Sequence, residues 1–187
     1  YATPGIVYDR EAGRGKPFHY FAYGAALTEV EVNGLTGEHR VMRVDILHDV
    51  GRSLLPNIDR GQIEGAYIQG LGWLTCEELV WDPRGRLLTH GPSTYKIPAV
   101  GDAPEDFRVS LLRDAPQADV IHGSKAVGEP PFMLAISVIP ALRHAIAGFG
   151  EAGLEPRLTL PCTPEAILRA IEDIRARARA AQVSAAE

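Results

Sequence analysis

The sequence predicts an α+β fold, in which hairpins and a mixed sheet pack with about three helices. Three observations carry this. Two runs of alternating apolar and polar residues flank an Asn-Gly turn near the N-terminus. Three later stretches carry helical periodicity or helix-start signals. Strand-like and helix-like stretches do not alternate in the regular manner of βαβ units.

The elements follow in order. Residues 1–18 are rich in Gly, Pro and charge and read as loop. "YGAALTEVEV" and "HRVMRVDILHDV" flank "NGLTGE" and predict a hairpin between His19 and Asp49. "GRSLLPNIDRG" is a turn-rich connection into a helix at roughly 58–79. "LVWDPRGRLLTH" reads as a second hairpin across a Pro-Arg-Gly turn, and "GPSTYKIP" and "FRVSLLRD" as short strands. A helix at roughly 130–147 comes next. The last helix spans roughly 163–182 within a helical tail over 163–187; "CTPEAI" opens it, with Thr163 as cap and Pro164 at the first helical position. No repeat or low-complexity tract divides the 187 residues, which read as one unit.

Composition excludes several classes. Apolar residues make up 45% and charged residues 23%, as in ordinary globular proteins. The net charge is −5, and the one cation-rich stretch, "RARARA" at 175–180, reads as a solvated helix face, so no nucleic-acid partner is expected. The longest apolar run is interrupted by Pro140 and falls short of the ~20 residues that cross a bilayer, so no membrane partner is expected. The polar N-terminal stretch lacks the apolar segment of a signal peptide, and a chain starting with Tyr fits a processed product or part of something larger. Cys76 and Cys162 lie far apart without a CxxC, which fits a reducing compartment and a cytoplasmic location. The six histidines show no HxxxH or HxH spacing, so no metal held directly by protein ligands is expected. No GxGxxG, Walker or GxSxG motif occurs.

Two stretches stand out. In "GQIEGAYIQGLGWLTCEEL", Ile63, Tyr67, Leu71 and Leu74 form a core stripe, while Gln62, Gly65, Gln69 and Gly72 line a second face. Each glycine inside a helix costs about 0.8–1 kcal/mol against alanine, so Gly65, Gly70 and Gly72 need a reason. Either another backbone packs closely there, or a flat heteroatom-rich cofactor lies on the glycine face and is held by the glutamine amides.

The second stretch is "GSKAVGEPPFMLAISVIP". Pro130 should hold Glu129 extended, and Pro130 and Pro131 suit a first helical turn. The following "FMLAISVI" is apolar all round and reads as a buried helix. Glu129 is then a rigid carboxylate at a shielded helix entrance. It serves either as a general base or as one half of an ion pair with Lys125 or an arginine. Gly123, Ser124, Ala126 and Gly128 allow close approach to the backbone, as does an ordinary turn.

Taken together, "FHYFAYGAALTEVEVNGLTGE", "DVGRSLLPNIDRGQIEGAYIQGLGWLTCEEL", "GPSTYKIPA", "FRVSLLRDAP" and "GSKAVGEPPFMLA" resemble the C-terminal part of the molybdenum-binding portion of the xanthine dehydrogenase/oxidase family. The resemblance covers roughly residues 1–150 and continues more loosely through "PCTPEAILRAIEDI". It implies part of a molybdopterin-binding domain in a molybdenum hydroxylase that oxidises hypoxanthine and xanthine to urate with oxygen from water. The metal is then held by the pterin dithiolene. By that resemblance Glu129 takes the proton from the metal-bound hydroxide, whose oxygen attacks the purine carbon. Gln62 contacts the pterin, and Ala126, Val127 and Gly128 line the substrate pocket. Gln69 matches no family role.

The resemblance further implies FAD and [2Fe-2S] clusters on other domains or chains; the two cysteines here could not hold such clusters. In the family it resembles, the remaining parts of the molybdenum-binding portion, including a substrate-clamping arginine and a second active-site glutamate, precede the matched region. The chain is therefore expected to be catalytically incomplete alone. An aldehyde oxidase-like hydroxylase shares the same glutamate and is the alternative within the family. A non-catalytic structural or assembly module is the alternative outside it.

Overall fold

The computed structural model describes residues 3–185. The segment read as loop contains a small antiparallel hairpin, β1 (Val7–Asp9) with β2 (Arg14–Lys16), exposed along both strands. It is closed by Asp9, whose carboxylate accepts the Glu11 and Ala12 N–H groups.

The main sheet is three-stranded and mixed, as expected. β3 (Gly24–Val32) and β4 (His39–His48) form the hairpin around "NGLTGE", with the Asn33 N–H donating to Glu38 O across the turn. A bulge opposite Glu29 and Val30 leaves Met42 unpaired. That extra residue shifts the alternation, so Val41 and Val44 both face the core although they lie three residues apart. β5 (Asp106–Leu111) is the strand expected at "FRVSLLRD"; it runs parallel to β4 on the side opposite β3. Parallel pairing needs a crossover, and α1 (Pro56–Thr75) lies in it.

α1 begins and ends earlier than the expected 58–79. At its end the Cys76 and Glu77 N–H groups both donate to Gly72 O, which turns the chain off the helix axis. The expected second hairpin is only a turn, with one isolated bridge between Trp81 and Leu87. "GPSTYKIP" is not a strand. The Thr94 and Tyr95 N–H groups close turns onto Gly91 O, and Tyr95 OH donates to Glu77 Oε2 at 2.5 Å.

The helix expected at 130–147 starts as a 3-10 segment, Pro130–Ser137, and continues as α2 (Val138–Ala147). It is not buried all round, for Met133 is 60% and Ile136 51% exposed. Pro130–Ala147 is the one stretch among the described residues whose 18-residue length and hydropathy would suit a bilayer; here it packs on β3 and α1. α3 (Pro164–Ala185) starts as expected, with Thr163 Oγ1 accepting the Ala166 N–H. Residues 186 and 187 of the expected tail lie outside the described residues.

One core joins these elements: Ile63, Tyr67 and Leu71 of α1, Val44 and Ile46 of β4, Leu142 and Ile146 of α2, and Ile167, Ile171 and Ile174 of α3. Burying each such side chain contributes about 1.5–3 kcal/mol. Tyr67 brings a hydroxyl into this interior, where it hydrogen-bonds Thr28 Oγ1 at 2.9 Å; Thr28 in turn meets Ser137 Oγ at 2.7 Å. These three hydroxyls thereby partner one another. Burial raises the Tyr67 hydroxyl above its usual pKa and keeps it neutral. Cys162 is fully buried and its thiol is pushed up to about 11, so it behaves as a small apolar side chain. Both cysteines are unpaired.

Candidate functional site

α1 carries the first part of the site. Its predicted core stripe is inward, with Ile63, Tyr67 and Leu71 buried and Leu74 half-buried. The second face divides. At Gly70 a Cβ would lie 2.6 Å from Ala135 Cβ and 3.0 Å from Phe132 O, so the glycine is required for packing against the 3-10 segment. Trp73 stacks on Phe132 beside it, at 4.8 Å between ring centroids. Gly72 is likewise filled in, by Glu77 and Pro98. Gly61 and Gly65, by contrast, have open space where a side chain would project. Packing explains the C-terminal glycines and leaves the N-terminal ones free.

Gln62 and Gln69 are exposed on this helix, and among the described residues neither amide has a hydrogen-bond partner. Gln62 reaches the second part of the site: a Cβ on Gly128 would lie 3.7 Å from Gln62 Oε1. The expected site residues Gln62, Ala126, Val127, Gly128 and Glu129 are thus brought to one place. Ala126, Gly128 and Glu129 are exposed there, and Val127 is half-buried against the core.

Glu129 departs from two expectations. Its backbone is helical rather than extended, at φ −106° and ψ −35°. The steric bias before a proline is outweighed by a tight turn in which the Phe132 N–H donates to Glu129 O at 3.0 Å. The carboxylate is also exposed in this chain, not shielded. It caps no backbone N–H and has no ion pair among the described residues. The ion-pair role is therefore not filled by Lys125, which pairs with Asp49 at 2.5 Å.

That pair went unpredicted. Asp49 and Lys125 are 4% and 8% exposed, and Lys125 Nζ also donates to Phe21 O at 2.8 Å. The Asp49 carboxylate accepts the Gly51 N–H at 2.8 Å. Gly51 itself has φ +63°, and a Cβ there would lie 2.5 Å from Gly123 O; both facts require glycine. The one sequence signal was a lone acid at the end of β4 followed by Val-Gly, which is too common to single out.

His48, read as structural, is buried with both ring nitrogens unpartnered, and burial lowers its pKa. His122, read the same way, is exposed in a tight turn at φ +56°. No cluster of His, Cys, Asp and Glu among the described residues suits a metal ion.

The residues present fit a flat, heteroatom-rich cofactor. An unpartnered amide donor and acceptor on Gln62 lies beside Gly128, and open space stands over Gly61 and Gly65. A side chain on either side would intrude on that space.

Comparison with known proteins points the same way. Residues 1–104 match the molybdopterin cofactor-binding domain family. The chain is 54% identical over 176 residues to the xanthine dehydrogenase/oxidase of Gallus gallus, covering 92% of this chain and 13% of that protein. The chain thus spans about one eighth of the length of the curated relatives it matches. Among solved structures it is similar to quinoline 2-oxidoreductase from Pseudomonas putida 86, at 34% identity and TM-score 0.68, covering 78% of this chain and 18% of that one. It is also similar to aldehyde oxidoreductase from Desulfovibrio gigas, at 26% identity and TM-score 0.73, covering 90% and 17%.

Proposed function

Because the chain belongs to the molybdopterin cofactor-binding domain family, we propose that it is the C-terminal part of the molybdenum-binding portion of a hydroxylase converting hypoxanthine and xanthine to urate. The observation that carries this reading is the meeting of Gln62, Gly128 and Glu129 on one open face. The similarity to xanthine dehydrogenase/oxidase supports the purine substrate over an aldehyde.

In this reading the Gln62 amide would hold the pterin, and the side-chain-free positions Gly61 and Gly65 would leave room for it. When bound, the molybdenum cofactor supplies a two-electron oxidant and lowers the pKa of coordinated water. Glu129 acts as general base, accepting a proton on its free carboxylate oxygens; a positioned base of this kind contributes about 10²–10⁴-fold. Ala126, Val127 and Gly128 form the wall against which the substrate ring lies, with no long side chain to obstruct it. The exposed position of Glu129 implies that the shielding walls come from the rest of the molybdenum-binding portion. FAD and iron–sulfur domains or subunits carry the electrons away, and the assembly works in the cytoplasm.

The test is Glu129→Gln in the assembled enzyme. Urate formation lost with molybdenum retained supports the base. Unchanged turnover overturns it.

A further inference from the structure

We propose that the buried Asp49–Lys125 pair positions Glu129, so that both are positioning residues for the reaction; the inference rests on the reading of Glu129 as base. The Glu129 carboxylate has no partner among the described residues that could orient it. Within this chain its position is set through the backbone of residues 126–129, which is fixed at two ends. At the C-terminal end, Pro130 and Pro131 open the 3-10 segment and Glu129 O accepts the Phe132 N–H. At the N-terminal end stands Lys125.

Lys125 is held on every side. Its Nζ contacts Asp49 Oδ2 and donates to Phe21 O at 2.8 Å, while the Tyr20 and Tyr23 rings lie 6.0 and 5.3 Å away. Its own N–H donates to Val50 O at 2.9 Å, and Ser124 bridges Gly51. The next residue continues the clamp, with the Ala126 N–H donating to Tyr20 OH at 2.8 Å. Asp49 closes the circuit through its N–H to Tyr23 O at 2.8 Å. Three separate stretches, 20–23, 49–51 and 124–126, are thereby locked at one point.

Stability alone does not account for charges in that position. Burying an ion pair costs desolvation, and apolar replacements of equal volume are often as stable. What the pair supplies is a fixed anchor four residues before Glu129. With the Ala126 N–H bound to Tyr20 OH on one side and Glu129 O bound to the Phe132 N–H on the other, only residues 127 and 128 lie between two fixed points, so a shift of the anchor is passed on to Glu129. A base misplaced by about 1 Å can lose about 10²-fold in rate.

The experiment compares Lys125→Met, the double variant Asp49→Asn with Lys125→Met, and Glu129→Gln in the assembled enzyme. Thermal midpoint, molybdenum content and kcat per molybdenum are read for each. Lys125→Met leaves a buried unpaired carboxylate and should lower both midpoint and kcat. The double variant keeps an acceptor for Gly51 and removes both charges. It should recover the midpoint while kcat per molybdenum stays down about 10²-fold. A double variant with wild-type kcat per molybdenum overturns the inference. Should the double variant not accumulate, Lys125→Arg keeps the charge and moves the anchor; wild-type kcat per molybdenum there overturns it equally. Glu129→Gln at the wild-type rate would remove the base itself, and this inference with it. A slow Glu129→Gln beside a fully active double variant overturns only the positioning role.

Discussion

Gln62 and Gly128 meet across the candidate site: a side chain at Gly128 would begin 3.7 Å from Gln62 Oε1. The distance is an ordinary van der Waals contact, and Gly128 does not need a left-handed backbone. Gly128→Ala is therefore expected to fold with stability changed by about 0.5 kcal/mol or less. Gly128→Leu would fill the space beside the amide. Its thermal midpoint should stay close to wild type while pterin content falls, and full pterin occupancy would remove Gly128 from the cofactor wall.

Gly65 and Gly70 separate two reasons for a helical glycine. Gly70→Ala drives a methyl into Ala135 and the Phe132 carbonyl, and should destabilise by about 1–3 kcal/mol in urea unfolding. Gly65→Ala meets nothing and should stabilise by up to about 1 kcal/mol from helix propensity. If the open face receives the cofactor, the same variant retains less pterin despite its greater stability. Equal pterin content would return Gly65 to an ordinary surface position.

Glu129→Asp tests reach rather than charge. It keeps the carboxylate and withdraws it by one methylene. A methylene fewer moves the carboxylate by more than about 1 Å, so kcat should fall by about 10²-fold with molybdenum content intact. A rate within a factor of two of wild type would mean that the carboxylate is not held at a set distance.

His48 makes stability depend on pH. Burial, opposed by its contact with the Tyr23 backbone and by Asp49, lowers its folded-state pKa below the ordinary 6.5. The unfolded chain then binds more protons as pH falls through 6.5, so the contribution is complete above that value and lost progressively below it. His39 shifts the same way, chiefly through burial, and adds to the slope. Urea midpoints measured from pH 7.5 down to 5.5 should decline less steeply for His48→Met than for the wild type. Identical slopes would mean that His48 titrates normally.

What the sequence made legible was local. The β3–β4 hairpin follows from its alternation and the turn residues of 33–38, although the left-handed glycine there is Gly37 rather than Gly34, and the start of α3 follows from Thr163 and Pro164, because each signal lies within a few residues of what it specifies. The parallel pairing of β5 with β4 was not legible, since its partner lies beyond a long crossover and nothing in "FRVSLLRD" encodes direction. "GPSTYKIP" misled as a strand because tertiary contacts of Tyr95 and Pro98 with the end of α1 outweigh its propensity. The same division holds in the site. Glu129 and Gln62 became candidates through their motifs, whereas the Asp49–Lys125 pair joins residues 76 apart in sequence and only the fold brings them together. The conformation of Glu129 was misread because one hydrogen bond, Phe132 to its carbonyl, outweighed the bias before proline.

The central strand β4 also sets an order of assembly. Its pairing with β3 closes a loop of a few residues, whereas its pairing with β5 must wait until the whole α1 crossover is in place. Loop closure costs more as the loop lengthens, so the hairpin belongs to the folding nucleus and β5 docks late. Truncating Val44 should then slow refolding, while truncating Phe107, which packs on Tyr67, should mainly speed unfolding. Stopped-flow kinetics of the two variants would separate these effects, and equal slowing of refolding would refute the order. A late β5 leaves one edge of β4 open during folding, so the nascent chain has its greatest tendency to self-associate at that strand.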